Sequence, residues 1–267
     1  MTALFYGSDP SGVTPPALSR WRDRLAHALL PAPCLGCGRP LPWSGTELGL
    51  CTNCRGQLRR PAAACAVCAL PLSGVVPEGW HCAACREHPP AFDRLIALWS
   101  YETPLDSVIQ ALKFRRLDYL GRHLGEALAA HWGEELAGAD LVVPVPLHWR
   151  RWLSRGYNQA ERIARALASR RGLPLLPALA RRRATPPQSS LGREERKANL
   201  RSAFRVRRAA QIRERRIVLV DDVATTGATL EAAAAVLKEN GAAVVLAVVA
   251  GRTPWEGPRG GSSGARP

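Results

Sequence analysis

Eight cysteines, all in Cys-x-x-Cys pairs, constrain this chain more than any other feature. Cys34, Cys37, Cys51 and Cys54 return as Cys65, Cys68, Cys82 and Cys85, each 31 positions further on. Each unit reads Cys-x2-Cys-x13-Cys-x2-Cys, and the context partly repeats, Arg39-Pro40-Leu41 against Leu70-Pro71-Leu72. Two pairs supply four thiolates, the number a tetrahedral Zn²⁺ takes, and leave no coordination position open. Two structural zinc ions are therefore expected, holding a stretch too thin in apolar residues to build a core of its own. The four knuckles can join in three ways, of which sequential pairing is preferred. His81 and His88 lie nearby, but eight thiolates already satisfy two ions. Redox-active Cys-x-x-Cys is the competing reading, yet nothing here reads as a thioredoxin-like βαβ unit. The opening Met-Thr-Ala-Leu-Phe-Tyr-Gly-Ser-Asp-Pro lacks a basic region followed by an apolar stretch. No export signal is expected, and a cytoplasmic setting favours metal over disulfides.

Around this double zinc ribbon, residues 34–88, the chain divides by composition. Residues 1–33 form a loose N-terminal segment, rich in Gly, Pro and Ser over 1–18, with a short helix expected from Ser19 to about Leu30. Pro89-Pro90 marks a boundary, and residues 91–252 form the main domain, followed by a loose tail over 253–267. Within it, Asp93–Ser100 reads as a strand. Leu105, Val108, Ile109 and Leu112 recur at helical spacing, and a second helix runs from Tyr119 to Trp132. Leu141–Pro146 is a buried strand. Asn158–Arg171 is a helix stopped by Gly172, with short strands near Leu175 and at Ala203–Val206. Such alternation predicts an α/β fold, a parallel sheet with helices on both faces and its site at the carboxyl ends of the strands. The longest apolar run, Ala242–Ala250, is strand-sized, so no membrane span is expected.

The chemistry concentrates in Ile217-Val218-Leu219-Val220-Asp221-Asp222-Val223-Ala224-Thr225-Thr226-Gly227-Ala228-Thr229. Four apolar residues make a buried strand that is expected to end in the two carboxylates. A Thr/Gly loop follows, and Thr229 is placed to cap a helix over Leu230–Asn240 that Gly241 stops. A helix N-terminus offers unfilled amides and a positive dipole end, so the loop Ala224-Thr225-Thr226-Gly227-Ala228-Thr229 suits a phosphate. Two Asp repel a phosphate, whereas sugar hydroxyls or a hydrated Mg²⁺ are natural partners for Asp221 and Asp222.

This run resembles the phosphoribosyl pyrophosphate (PRPP) motif of type I phosphoribosyltransferases. The resemblance widens to the ComF/amidophosphoribosyltransferase-like proteins through three blocks. These are Pro144-Val145-Pro146-Leu147-His148, Arg155-Gly156-Tyr157-Asn158-Gln159, and Arg183-x-Thr185-x-x-Gln188 followed by Leu191, Arg196, Asn199 and Phe204. With the double zinc ribbon ahead of them, the order matches ComF proteins from Cys34 to Arg252. The resemblance implies a type I phosphoribosyltransferase-like fold, Mg²⁺-assisted PRPP binding, and a role in DNA uptake, natural transformation or use of imported DNA. It implies that Asp221 and Asp222 hold the ribose hydroxyls and that the Thr/Gly loop holds the 5′-phosphate. It also implies that the turn at Pro144, Val145 and Pro146 holds pyrophosphate. Arg155, planar and bidentate, is a candidate pyrophosphate clamp, against an ordinary solvated arginine. His148 is a candidate general acid, against a hydrogen-bonding support, and Asn158 with Gln159 against simple helix caps. A glutamine-dependent amidotransferase is not expected, because the first cysteine is Cys34 rather than a nucleophile at the N-terminus.

The net charge of +15 is not spread evenly. Arg150–Arg216 holds 20 Lys and Arg against 4 Glu, and the remainder is close to neutral. Arg181–Arg216 corresponds to the hood over the substrate in these folds. Trp149, Trp152 and Tyr157 lie among Arg150, Arg151 and Arg155, a mix suited to single-stranded DNA, although each aromatic also reads as a packing anchor. Two functions follow: a DNA-handling protein with a PRPP pocket whose ribbons dock a competence helicase or uptake protein, or an active phosphoribosyltransferase of nucleotide metabolism or salvage with an unspecified acceptor.

Overall fold

The computed structural model describes residues 31–42, 47–72, 74, 76–131, 135–148, 153–181 and 203–254. The expected helix at Ser19–Leu30, the Trp149-Arg150-Arg151-Trp152 stretch and the block from Arg183 to Asn199 lie outside them.

Six strands form among the described residues: β1 (Arg94–Ser100), β2 (Leu141–Pro144), β3 (Leu179–Arg181), β4 (Phe204–Val206), β5 (Arg216–Ala224) and β6 (Val244–Arg252). The helices used below are α1 (Thr52–Gly56), α2 (Ala83–Glu87), α3 (Leu105–Phe114), α4 (Tyr119–His131), α5 (Gln159–Arg171), α6 (Ala209–Ile212) and α7 (Ala228–Glu239). None of them is long and apolar enough to cross a membrane. Parallel pairing gives the order β1-β6-β5-β2, with Leu175 bridged to Val142 beyond β2.

Strand side chains alternate between the two faces, which splits the core in two. Ile96, Leu98, Val142, Val218, Val220, Leu246 and Val248 pack with α3, α4 and α5. Leu95, Ala97, Leu141, Val143, Ile217, Leu219 and Val245 pack with α7, α6 and the antiparallel β3–β4 pair. The α/β prediction of a parallel sheet covered on both faces holds. α5 begins at Asn158, whose side chain accepts from the Ala160 amide at 3.2 Å, and ends at Gly172 in the left-handed region. α4 crosses α5 closely: a Cβ on Gly125 would lie 2.3 Å from the Ile163 carbonyl oxygen, so only glycine fits.

Three expectations need correction. β5 does not end at the acid pair but runs on to Ala224, because β6 continues to pair beside it, Asp221 with Val249 and Ala224 with Arg252. Thr229 does not cap α7. Gly227, with φ 82°, occupies the cap position, and Thr229 lies inside the first turn. Leu175, expected in a short strand, forms only an isolated bridge, and the strand in this stretch is Leu179–Arg181.

Candidate functional site

β2 stops at Pro144, opposite Val220, so β5 loses its neighbour on that side one residue before the acids. The Val145 amide makes a last bond to the Val220 carbonyl at 2.9 Å. Beyond it, Asp221 and Asp222 occupy a strand paired, among the described residues, only with β6. Alternation then sends them to opposite faces. Asp222, buried at 8 % exposure, turns toward α3, where Lys113 Nζ lies 3.1 Å from its Oδ1. Asp221 is half-buried, and its Oδ1 accepts the Asp222 amide at 2.9 Å. Burial and the neighbouring Asp222 charge push Asp221 up to about 7, against the pull of that amide, Lys113 and Arg181. One ammonium against two carboxylates leaves a net negative, oxygen-only donor set. It fits hydroxyl donors or a hard cation such as Mg²⁺.

The loop after β5 places Thr225 and Thr226 in solvent. Among the described residues no atom beyond its chain neighbours stands within 4 Å of where a Gly227 Cβ would be, so the left-handed backbone and not crowding requires glycine there. Thr226 Oγ1 accepts the Ala228 amide at 3.3 Å, doing part of the work expected of Thr229. The following amides head a 12-residue helix, the position an anion cradle requires. Beneath the loop lies Arg252, at 5 % exposure. Its Nη1 donates to the carbonyls of Ala224 (3.0 Å) and Thr225, and its Nε donates to the carbonyl of Cys68 at 3.1 Å. A buried guanidinium thus joins the phosphate-type loop to a cysteine knuckle.

Lys113 and Arg252 were not singled out from the sequence. Lys113 is one of three lysines in an arginine-rich chain, and Arg252 closes an otherwise apolar strand. Those were the available signals.

The turn after β2 is braced rather than open. The Val145 amide is engaged with Val220, and its carbonyl accepts Asn158 Nδ2 at 2.9 Å. Pro144 and Pro146 carry no amide hydrogen, so Leu147 and His148 are the backbone donors left to the turn. His148 is 5 % exposed, enclosed by protein as a support would be. Arg155 donates Nη1 to Gln159 Oε1 at 3.1 Å and lays its guanidinium over the Phe114 ring, 5.2 Å from the centroid. The Tyr157 hydroxyl donates to the Leu112 carbonyl, and burial pushes this phenol up to about 12. Tyr157 is thus a packing anchor.

The cysteines assemble as two tetrads, Cys34-Cys37-Cys51-Cys54 and Cys65-Cys68-Cys82-Cys85, each with its sulfurs within 4.8 Å of one another. Sequential pairing is correct, and all-thiolate sets of this size suit two tetrahedral zinc ions. The Cys51 amide donates to Cys34 Sγ at 3.2 Å and the Cys82 amide to Cys65 Sγ at 3.3 Å. Burial alone would raise these thiols. The amide bonds outweigh it at Cys34, down to about 6, and at Cys65, down to about 7, whereas burial and the neighbouring cysteines push Cys54 up to about 12 and Cys68 up to about 11. A cavity of about 220 Å³, lined by Arg60, Arg94 and His131, lies along β1. β6 separates it from the acid pair.

Two families match. The double zinc ribbon domain matches residues 25–86 and the phosphoribosyl transferase domain residues 153–258. DNA utilization protein YhgH of Salmonella typhimurium is 34 % identical over 222 residues, covering 81 % of this chain and 95 % of that protein. YhgH of Escherichia coli K12 is 35 % identical over 224 residues with the same coverage. Competence protein F of Haemophilus influenzae is 32 % identical over 201 residues, 72 % of this chain and 86 % of its own. Among solved structures, glutamine PRPP amidotransferase from B. subtilis aligns at TM-score 0.36 and 23 % identity, covering 48 % of this chain and 25 % of that one. Purine phosphoribosyltransferase from Pyrococcus horikoshii aligns at TM-score 0.31 and 20 % identity, covering 51 % and 86 %.

Proposed function

The chain belongs to the ComF family, a double zinc ribbon followed by a phosphoribosyltransferase domain, and on that premise we propose that it binds Mg²⁺-PRPP and single-stranded DNA as a DNA-utilization protein. In this reading Asp221 and Asp222 take the ribose hydroxyls and the cation. The amides and hydroxyls of Thr225–Thr229 take the 5′-phosphate, and the turn at Pro144–His148 faces the pyrophosphate. The observation that carries it is the acid pair on a strand bared of its neighbour, directly before a helix N-terminus. The names of the relatives support the DNA side, as does a basic excess gathered in Arg150–Arg216. A cytoplasmic setting agrees with two sites that need reduced thiols. The ribbons are then candidate docking elements for a competence helicase or uptake protein.

Titration calorimetry with Mg²⁺-PRPP tests the site: Asp221→Asn with Asp222→Asn should abolish binding, and unchanged binding would sink the assignment. The second reading, phosphoribosyl transfer to an acceptor, is favoured by the intact Asp-Asp-x-x-Thr-Thr-Gly-x-Thr run. Catalysis would then rest on positioning and on charge stabilisation of an oxocarbenium-like state. Pyrophosphate release from PRPP against a panel of bases, amines and single-stranded DNA separates the two. Turnover with any acceptor establishes the enzyme.

A further inference from the structure

α3 buries Leu105, Val108, Ile109, Ala111 and Leu112 almost completely, yet it ends in a phenylalanine, Phe114, that is 70 % exposed. Among the described residues only Leu153 is a comparably exposed large apolar side chain. An aromatic ring left in water forgoes the burial that stabilises its neighbours, so its surroundings decide what it is for. One face of the ring carries the Arg155 guanidinium, 5.2 Å from the centroid. Arg155 is in turn held by Gln159, itself 1 % exposed. Tyr157 bonds the Leu112 carbonyl, which ties down the last turn of α3 two residues before the ring. Lys113, the preceding residue, reaches Asp222, so the helix end that carries the ring adjoins the acid-pair site. Arg115 and Arg116 follow it, both exposed. The nearest acids in sequence are engaged elsewhere, Asp118 with Arg162 at 3.0 Å.

An exposed π face framed by cations matches a planar base flanked by phosphates. A free base would have no use for Arg115 and Arg116, and an acidic peptide none for the ring. We propose that Phe114 is a base-stacking platform that takes one nucleobase of a single-stranded nucleic acid, while Arg115 and Arg116 meet the adjoining phosphates. This rests on the single-strand reading above and adds to it a location. It also moves the aromatic role away from Tyr157, whose hydroxyl and ring are engaged inside the protein.

The test measures binding of a thymidine oligonucleotide, an abasic strand with the same number of phosphates, thymidine monophosphate and Mg²⁺-PRPP to the full chain. Phe114→Ala should weaken the thymidine strand about 5- to 100-fold, the range of one lost stacking contact, without changing the salt slope. Phe114→Trp should restore it. The abasic strand should bind wild type and Phe114→Ala alike, and Arg115→Ala with Arg116→Ala should lower the salt slope. Mg²⁺-PRPP binding should survive Phe114→Ala, which shows the variant folded. Equal affinity of Phe114→Ala for the thymidine strand would overturn the platform. So would thymidine monophosphate competing as well as the strand, which would make this a mononucleotide site. Wild type that ignores every strand would overturn the single-strand reading itself, independently of PRPP.

Discussion

The two zinc ribbons share one skeleton and differ in how they are fastened. The Cys34 amide bonds Arg39 O at 2.8 Å where the Cys65 amide bonds Leu70 O at 2.9 Å. Leu35 to Gly49 becomes Ala66 to Trp80, and α1 recurs as α2, all displaced by the same repeat. Ribbon one, however, places Leu41, Leu48, Leu50 and Cys54 in the same apolar cluster as α3 and α4. Ribbon two keeps a small cluster of its own, Cys65, Cys82 and Cys85 with Leu70 and Trp80 beside it. It reaches the sheet by directed bonds, Leu95 N to Val67 O at 2.7 Å and Arg252 Nε to Cys68 O at 3.1 Å, and by a narrower apolar contact of Ala69, Val67 and Cys68 with the other core. Apolar packing is non-directional and supplies stability, whereas hydrogen bonds fix positions. The first ribbon therefore completes a core, and the second aims a loop. Each also backs one of the two cations at the site: α3 carries Lys113, and the Cys68 knuckle holds Arg252.

The largest effect should come from removing each metal. Cys54→Ser breaks a tetrad inside the main core, so zinc content should fall by one ion and the whole chain should melt at least 10 °C lower or fail to fold. Cys85→Ser should also lose one ion but leave most of the melt intact, with Mg²⁺-PRPP affinity falling instead. Elemental analysis, thermal melts and calorimetry on the pair decide it. Equal melting losses would erase the distinction between the ribbons.

Next come the two cations. Lys113→Met strands Asp222, 8 % exposed, without its ammonium and should cost about 3 kcal/mol of unfolding free energy, with Lys113→Arg recovering part of it. Arg252→Lys keeps the charge but cannot reach Cys68, Ala224 and Thr225 at once. It should weaken PRPP about tenfold with a smaller change in unfolding free energy, the reverse of Lys113→Met. Urea unfolding and calorimetry on both variants read the contrast.

How far this contrast shows in the residue order depends on the kind of force involved. Zinc demands a spacing, so both tetrads were readable from the 31-residue repeat. Buried parallel strands demand apolar runs, so β5 and β6 were readable too. The seating of the ribbons was not, because Arg252 meets Cys68 across 184 positions and nothing local records the meeting. Thr229 misled for a related reason. The strand continued through Ala224 while β6 still had residues to pair, and the turn then tightened at Gly227. Arg155, read as a clamp, lies on Phe114, a contact that the exposed end of an amphipathic helix does not announce.

A smaller effect separates the two acids. Asp222 has its lysine, while Asp221 is raised to about 7 by burial and by Asp222. Between about pH 4 and pH 7 the folded chain therefore keeps a proton that the unfolded chain has released. Stability falls as pH rises through that window, and Asp221→Asn should remove the fall, gaining roughly 1–3 kcal/mol at pH 7 over wild type. Ligand binding should run the opposite way, strengthening in wild type as Asp221 ionises. Denaturant melts across that range that stay parallel for the two proteins would contradict the assignment.

The finest test exchanges one position between the ribbons. Gly36 stands where the second unit has Val67. A Cβ on Gly36 would lie 2.9 Å from Cys54 Sγ and 3.1 Å from Pro104 Cβ, because the first ribbon is pressed against the chain ahead of α3. Val67 is half-buried against the other core and also gives its carbonyl to the Leu95 amide. Gly36→Val should therefore cost about 1–3 kcal/mol by overpacking, with the clash falling on a zinc ligand. Val67→Gly should cost less, about 1 kcal/mol, since the bond from Leu95 survives and only a half-buried side chain is lost. Chemical denaturation of both variants would show the asymmetry. Equal costs would mean that the second ribbon is held by packing as the first is, and that Arg252 only accompanies it.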